Sequence, residues 1–274
     1  ADILNAYFDA IIVTIHTGWL HEILRAYKGK VIYRTFGQIG LLSEELWNQT
    51  TFRMITERPD FWFLPHCEQT AHDEHAWLRR RMEIVPYHIT QDSIDLQDTW
   101  TTSPRKRELM MVCPNIDNAY YKKHFLYLKQ NFPDPCYRFY GVQMRKDITD
   151  NQIVGSLPRA VHLAAYQQSA GLVYTYQEER VCYLPPIEMM VIGGPVIYLP
   201  NSLLARYFDK NAPGLARDVE DARLKAKRLL DGDTGYIAEL QAAQQLVRKL
   251  YMPDYVNPKF DEVFTRLLSK QTHN

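Results

Sequence analysis

Residues 180–198 read Arg180-Val181-Cys182-Tyr183-Leu184-Pro185-Pro186-Ile187-Glu188-Met189-Met190-Val191-Ile192-Gly193-Gly194-Pro195-Val196-Ile197-Tyr198. The proline pair suits a first helical turn, where a missing N–H leaves no bond unmade, and the glycine pair suits a helix stop because glycine turns left-handed without steric cost. The stretch is expected to run loop, helix, stop and short buried strand. A helix N-terminus presented this way offers unpaired amides and a partial positive charge, both suited to a phosphate. Glu188, just inside the helix, is placed to accept hydrogen bonds from sugar hydroxyls. A nucleoside diphosphate joined to a sugar carries both groups.

Working outward, strand and helix patterns alternate along the chain. DAIIVTI (9–15), KVIYRTFG (30–37), DFWFLP (60–65) and MEIVPYHI (82–89) read as strands, with helical periodicity between them and a capping-type start at Ser43. A second series begins at ELMMVCP (108–114) and continues through CYRFYGV, QIVGSLP, GLVYTYQ and PVIYLP, again separated by helices. Such alternation predicts parallel sheets with crossover helices, an α/β chain of two Rossmann-like domains. The stretch 89–107 lacks an apolar period, is rich in Ser, Thr and Asp, and ends in Pro104 and the basic run Arg105-Lys106-Arg107; the domain junction is expected there. The expected division is 1–100, 101–200, and a helical segment over 201–274 that packs on both domains. With only three or four strands, the first sheet is expected to be partial, completed by sequence before Ala1 or by another chain covering its edge.

The 274 residues suffice for two cores, and a net charge of zero gives no reason to expect nucleic acid as partner. No run reaches the roughly 20 apolar residues that cross a bilayer, and the start ADILNAYFDAI lacks a basic-then-apolar signal pattern. Cys67, Cys113, Cys136 and Cys182 are too dispersed for a disulfide framework and read as reduced core residues of a cytoplasmic protein, with peripheral membrane association a further expectation. His66, Cys67, His72 and His75 include zinc-ligating types, but their spacing matches no closed site, and His72 to His75 read as a solvated helix face. No metal site is expected. Tyr120, Tyr121, Tyr174 and Tyr176 read as packing residues, and residues 216–231 as an exposed helix laced with ion pairs.

Ligands of open α/β sheets bind beyond the carboxyl ends of strands, so the residues following each strand are the candidates. Here a resemblance enters. Residues 108–198, above all LPPIEMMVIGGPVIY, resemble the nucleotide-sugar-binding domain of GT-B glycosyltransferases. In the retaining branch of that fold, a Glu, seven residues, Glu motif ends in a Pro-Pro-hydrophobic-Glu-Ala-Met turn and Gly-x-Pro-Val. Pro185, Pro186, Ile187, Glu188, Met190, Gly194, Pro195 and Val196 match that ending. The segment VGSLP resembles the border of the base site, and FDAIIVTIH with KVIYRTFG resemble the last strands of the acceptor-side domain.

The resemblance implies two Rossmann-like domains facing a cleft, and transfer of a sugar from a nucleotide-diphosphate donor to a hydroxyl acceptor such as a glycan, lipid-linked glycan or polymer. It implies no cofactor beyond the donor substrate, and metal-independent catalysis. Glu188 would hold the ribose. Asn115, Lys122, Gly141, Leu157, Pro158, Pro185, Pro186 and Ile187 would complete the donor site, with the amides over Pro186 to Glu188 receiving the charge that builds on the departing diphosphate. Arg105, Lys106, Lys123 and Arg145 are further basic candidates for that charge, behind Arg180 and Lys122. The motif's first Glu falls on Arg180, so its sugar-recognition role passes to Glu179, or Arg180 itself meets a phosphate or anionic sugar. His16 and Arg34, at strand ends of the first domain, complete the catalytic candidates. A sugar-nucleotide epimerase and a non-catalytic sugar-nucleotide or glycan-binding module are the rival readings, the latter prompted by Arg180.

Overall fold

A computed structural model describes residues 1–269 apart from Phe36, Asn48, 102–105, Lys146 and Cys182, so the expectations for Arg105 and Cys182 lie outside the described residues. In chain order the elements are α1 (Asp2–Tyr7), β1 (Ala10–Thr14), α2 (Thr17–Ala26), β2 (Lys30–Arg34), α3 (Leu42–Glu45), α4 (Gln49–Thr56), β3 (Phe61–Leu64), α5 (Glu68–Ala71), α6 (Ala76–Arg79), α7 (Gln91–Ile94), β4 (Leu109–Val112), α8 (Ala119–Asn131), β5 (Tyr137–Tyr140), β6 (Ile153–Gly155), α9 (Arg159–Gln168), β7 (Gly171–Tyr174), α10 (Leu184–Ile192), β8 (Val196–Tyr198), α11 (Val219–Leu230), α12 (Thr234–Lys249) and α13 (Pro253–Leu268). They form two compact units. Unit 1 comprises Ala1–His88, Glu178–Cys182 and Leu250–Asn274; unit 2 comprises Ile89–Gln177 and Tyr183–Lys249. The boundary thus falls at His88 rather than near residue 100, and the C-terminal helices divide, α11 and α12 to unit 2 and α13 to unit 1.

Unit 1 holds a parallel sheet of order β1-β2-β3. Side chains alternate across it. Val31, Tyr33, Phe61 and Phe63 enter one core with Leu20 and Leu24 of α2, whereas Ile32 and Leu64 pack on the other side with Val263, Phe264 and Leu267 of α13. The expected fourth strand, MEIVPYHI, is instead an extended segment with one bridge, Phe63 to Met82. Phe63 donates to the Arg81 carbonyl, and Glu83 and Val85 donate to the carbonyls of Phe63 and Pro65, so the segment pairs along the edge of β3 without forming a regular strand.

Unit 2 holds five parallel strands in the order β6-β5-β4-β7-β8. Counted along the chain this is 3-2-1-4-5, a doubly wound sheet whose winding reverses between β4 and β7. Strands β4, β7 and β8 are buried throughout, which explains why LMMV, GLVY and VIY read as unbroken runs rather than alternating ones. Helix α10 is buried from Pro186 to Ile192 and ends at Gly193, with φ of 98°. The Gly193 and Gly194 amides donate back to Met190 and Met189, closing the helix as the glycine pair foretold.

Candidate functional site

The reversal of winding marks where a ligand gathers, so the turns after β4 and β7 and the helices they enter define the candidate site of unit 2. After β4 the chain turns at Asn115, whose φ of 42° is tolerated by asparagine. The Gln143 side chain braces this turn, accepting from the Ile116 amide at 3.0 Å and donating to the Cys113 carbonyl at 2.8 Å. Gly141 presses against it: with φ of 146°, a Cβ there would lie 2.7 Å from the Pro114 backbone. The Asn115 Oδ1 is buried without a partner among the described residues. Asn118 caps α8 by accepting from the Tyr120 amide at 3.0 Å, and one turn on, Lys122 and Lys123 extend into solvent with no side-chain partner among the described residues. After β6, half-buried Leu157 lines a groove with Tyr140, Val154 and Val161, and exposed Pro158 precedes α9.

The N-terminus of α10 differs from the expectation in one chemical respect. Its N-cap is Tyr183, and Pro185 and Pro186 occupy the second and third helical positions. Neither proline has an N–H, and the amides of Ile187 and Glu188 belong to the helical ladder, so Pro186 to Glu188 are not free backbone donors. The Tyr183 amide donates to Tyr174 Oη at 3.3 Å, which leaves Leu184 to present an N–H.

Glu188 lies in the second turn and is 6 % exposed. Its carboxylate accepts from Arg159 Nη2 at 2.6 Å, Ser93 Oγ at 3.0 Å and Tyr166 Oη at 3.0 Å. Arg159 also grips Asp92 at 2.8 and 3.0 Å, which holds the Asp92 carboxyl well below the usual carboxylate range. This Arg159 hub joins residues far apart in sequence and was missed by sequence reasoning.

A second group gathers beside the Tyr183 N-cap. Tyr183 Oη donates to Tyr121 Oη at 3.2 Å, and the Tyr176 ring lies 4.6 Å from that of Tyr183. His124 stacks on Tyr176 at 3.8 Å and shares a hydrogen bond with Thr175 Oγ1 at 3.2 Å. Burial pushes His124 down to about 4. The Tyr176 hydroxyl, on a residue 3 % exposed, has no partner among the described residues. Tyr174 and Tyr176 are buried and Tyr121 half-buried, as expected of packing residues, whereas Tyr120 is exposed, and the hydroxyls of Tyr121 and Tyr183 meet.

The four catalytic candidates all fall in unit 1. His16 is exposed, against Trp19 at a ring distance of 5.8 Å. It follows Ile15, whose φ of 67° is an outlier for a β-branched residue. Arg34 is 8 % exposed and donates to the Pro86 carbonyl at 3.1 Å. Glu179 is exposed. Arg180 donates to Glu74 at 2.6 Å and Asp73 at 2.9 Å. Glu74 also accepts from the Leu42 and Ser43 amides and from Ser43 Oγ, so it is an interior acceptor and not part of a solvated helix face. Arg34 and Arg180 both act on His66, which is buried, stacks on Tyr87 at 5.0 Å, and has neither ring nitrogen bonded among the described residues.

Among the further basic residues, Arg145 is engaged with Asp147 and Asp117, and Arg107 with Asp231. His72 pairs with Glu68 and His75 with Glu44, and among the described residues no three His, Cys, Asp or Glu side chains converge. The Asp231-Gly232-Asp233 turn has the spacing of an acidic metal-binding pair, but its carboxylates meet Lys227, Arg107 and Arg228.

Burial drives His66 to about 4, with Arg34 and Arg180 adding to the effect. Below the free-histidine value the unfolded chain therefore binds more protons than the folded one, and stability falls as pH drops from 6.5 towards 4. The loss amounts to about 3 kcal/mol for a histidine fully excluded from protonation. His124 imposes the same dependence on unit 2. Urea titrations at pH 7 and 4.5 are expected to show a smaller stability loss for His66→Gln than for wild type; equal losses would refute the assignment.

No protein-family profile matches the sequence, and neither does any curated protein. Solved structures do match in fold. Sucrose-phosphate synthase (tll1590) from Thermosynechococcus elongatus is similar over 95 % of this chain and 74 % of its own, at 15 % identity and a TM-score of 0.64. Anabaena Alr3699/HepE in complex with UDP and glucose is similar over 94 % and 78 %, at 11 % identity and a TM-score of 0.61. Arabidopsis thaliana UGT89C1 complexed with UDP-L-rhamnose follows over 95 % and 71 %, at 13 % identity and 0.55. The fold is that of these GT-B glycosyltransferases. Among the described residues no helix is long and apolar enough to cross a membrane.

Proposed function

We propose that the protein transfers a sugar from a nucleoside-diphosphate donor to a hydroxyl acceptor, a glycan, lipid-linked glycan or polymer. What supports this reading is that the turn at Asn115 and the starts of α8 and α10 follow β4 and β7, the two strands at the winding reversal of the unit 2 sheet. The neighbours' complexes with UDP and UDP-L-rhamnose make uracil nucleotides the first donors to try. In this reading the diphosphate lies over the opening of α10, Lys122 meets part of the charge that develops as the glycosidic bond breaks, and Leu157 borders the base. Glu188, held rigid by Arg159, keeps one lone-pair direction for a ribose hydroxyl, since a carboxylate offers about four acceptor sites and three are taken. We assign His16 and Arg34 roles in sugar transfer, treat catalysis as metal-independent, and assign the cytoplasm, where Cys67, Cys113 and Cys136 would remain free thiols.

Isothermal titration with UDP, GDP and ADP, followed by donor hydrolysis assays with the matching sugars, tests the proposal. Nucleotide binding with turnover is expected, and absence of binding to all three would refute it. One observation favours a second reading, a binding module without turnover. Arg180 stands where the resembled motif has its first carboxylate and is engaged with Asp73 and Glu74. Tight binding without hydrolysis or transfer would establish that reading instead.

A further inference from the structure

We propose that the donor diphosphate is gripped by tyrosine hydroxyls, those of Tyr121 and Tyr176, where two prolines leave the α10 N-terminus short of amides. This inference rests on the sugar-transfer reading above and deepens it.

A phenol carries one proton and can accept through its oxygen lone pairs. Tyr183 and Tyr121 join their hydroxyls at 3.2 Å, which brings the Tyr121 phenol to the N-cap of α10. The Tyr176 proton has no acceptor among the described residues, although the residue is 97 % buried by the complement of its 3 % exposure. Buried hydroxyls are ordinarily satisfied, and one left open at a sheet's ligand-binding end points to a ligand oxygen. Tyr176 lies among Tyr120, Tyr121 and Tyr183, whose phenols all act on it, and Tyr183 is the N-cap of the nine-residue α10.

The ligand oxygen is anionic because the positive end of α10 favours negative charge, which a sugar hydroxyl does not carry. Burial and the neighbouring phenols also push the Tyr176 and Tyr183 hydroxyls upward, so they remain protonated donors through the neutral range.

The test is titration of the whole chain with UDP, GDP and ADP, and with uridine as the nucleoside lacking phosphate, on wild type, Tyr121→Phe and Tyr176→Phe. Phenylalanine keeps the ring packing and removes only the hydroxyl, so melting temperatures are expected to stay within a few degrees of wild type. Each substitution is expected to weaken nucleoside diphosphate binding by about tenfold or more, as for loss of a hydrogen bond to a charged group, and to leave uridine binding unchanged. Diphosphate affinities within twofold of wild type in both variants would overturn the tyrosine assignment and leave the transfer reading intact. Equal loss of uridine and diphosphate binding would also overturn it, because the hydroxyls would then serve the nucleoside. No binding by the wild-type chain would overturn both.

Discussion

Arg180→Glu, which restores the carboxylate of the resembled motif, is expected to unfold unit 1 rather than to improve catalysis. The new side chain would replace the cation that meets Glu74 at 2.6 Å and Asp73 at 2.9 Å. Glu74 has a side chain 1 % exposed, so water cannot take over the lost interaction. Removing one partner of a buried pair costs about 3–5 kcal/mol, and a third carboxylate adds repulsion. Against total stabilities of about 5–15 kcal/mol this is a large fraction. Urea unfolding followed by hydrogen exchange is expected to show lost protection in β1 to β3 with β4 to β8 retained. An unfolding midpoint equal to wild type would show that the ion pair contributes nothing.

The Arg159→Met variant is expected to be the second severe change. It leaves Glu188, with a side chain 8 % exposed, holding only the hydroxyls of Ser93 and Tyr166, and frees Asp92 from its guanidinium partner. Because Arg159 is itself 39 % exposed, the expected destabilisation is about 2–4 kcal/mol, below the range for a wholly buried pair. The double variant with Glu188→Gln is expected to recover much of this loss, since the uncompensated charge is then gone. A double-mutant cycle reports the coupling, and strict additivity of the two single changes would refute it. If Glu188 also reaches the ribose, Glu188→Gln weakens uridine binding while retaining the fold.

The sequence made legible those features that depend on neighbours along the chain. Pro185, Pro186, Gly193 and Gly194 delimit α10 through local backbone chemistry, β-branched runs marked β1 and β2, and short unbroken apolar runs marked the core strands of unit 2. MEIVPYHI reads as a strand from its apolar content, and its backbone does pair with β3 at Met82, Glu83 and Val85, stopping short of a regular strand. The Arg159 hub and the Arg180 pair were illegible for a different reason. Asp92, Arg159 and Glu188 meet only once β6 and β7 have been placed in their sheet, and Glu74 looked like part of a polar run until its burial showed otherwise. Alternation on a strand pointed to the packing of Tyr174 and Tyr176 but not to the exposure of Tyr120, and the meeting of the Tyr121 and Tyr183 hydroxyls from different elements is encoded by no spacing along the chain.

The two prolines at the head of α10 have a consequence for selectivity. A fan of amides imposes fixed directions on whatever docks against it, but a helix start with the Leu184 N–H and two prolines would attract mainly through its field, which falls off smoothly and is indifferent to orientation. On the proposed reading, discrimination between diphosphate, monophosphate and phosphonate guests would then come from the rigidity of the surrounding rings, and loosening that aromatic wall would broaden the range of anions admitted before it diminished the attraction for them.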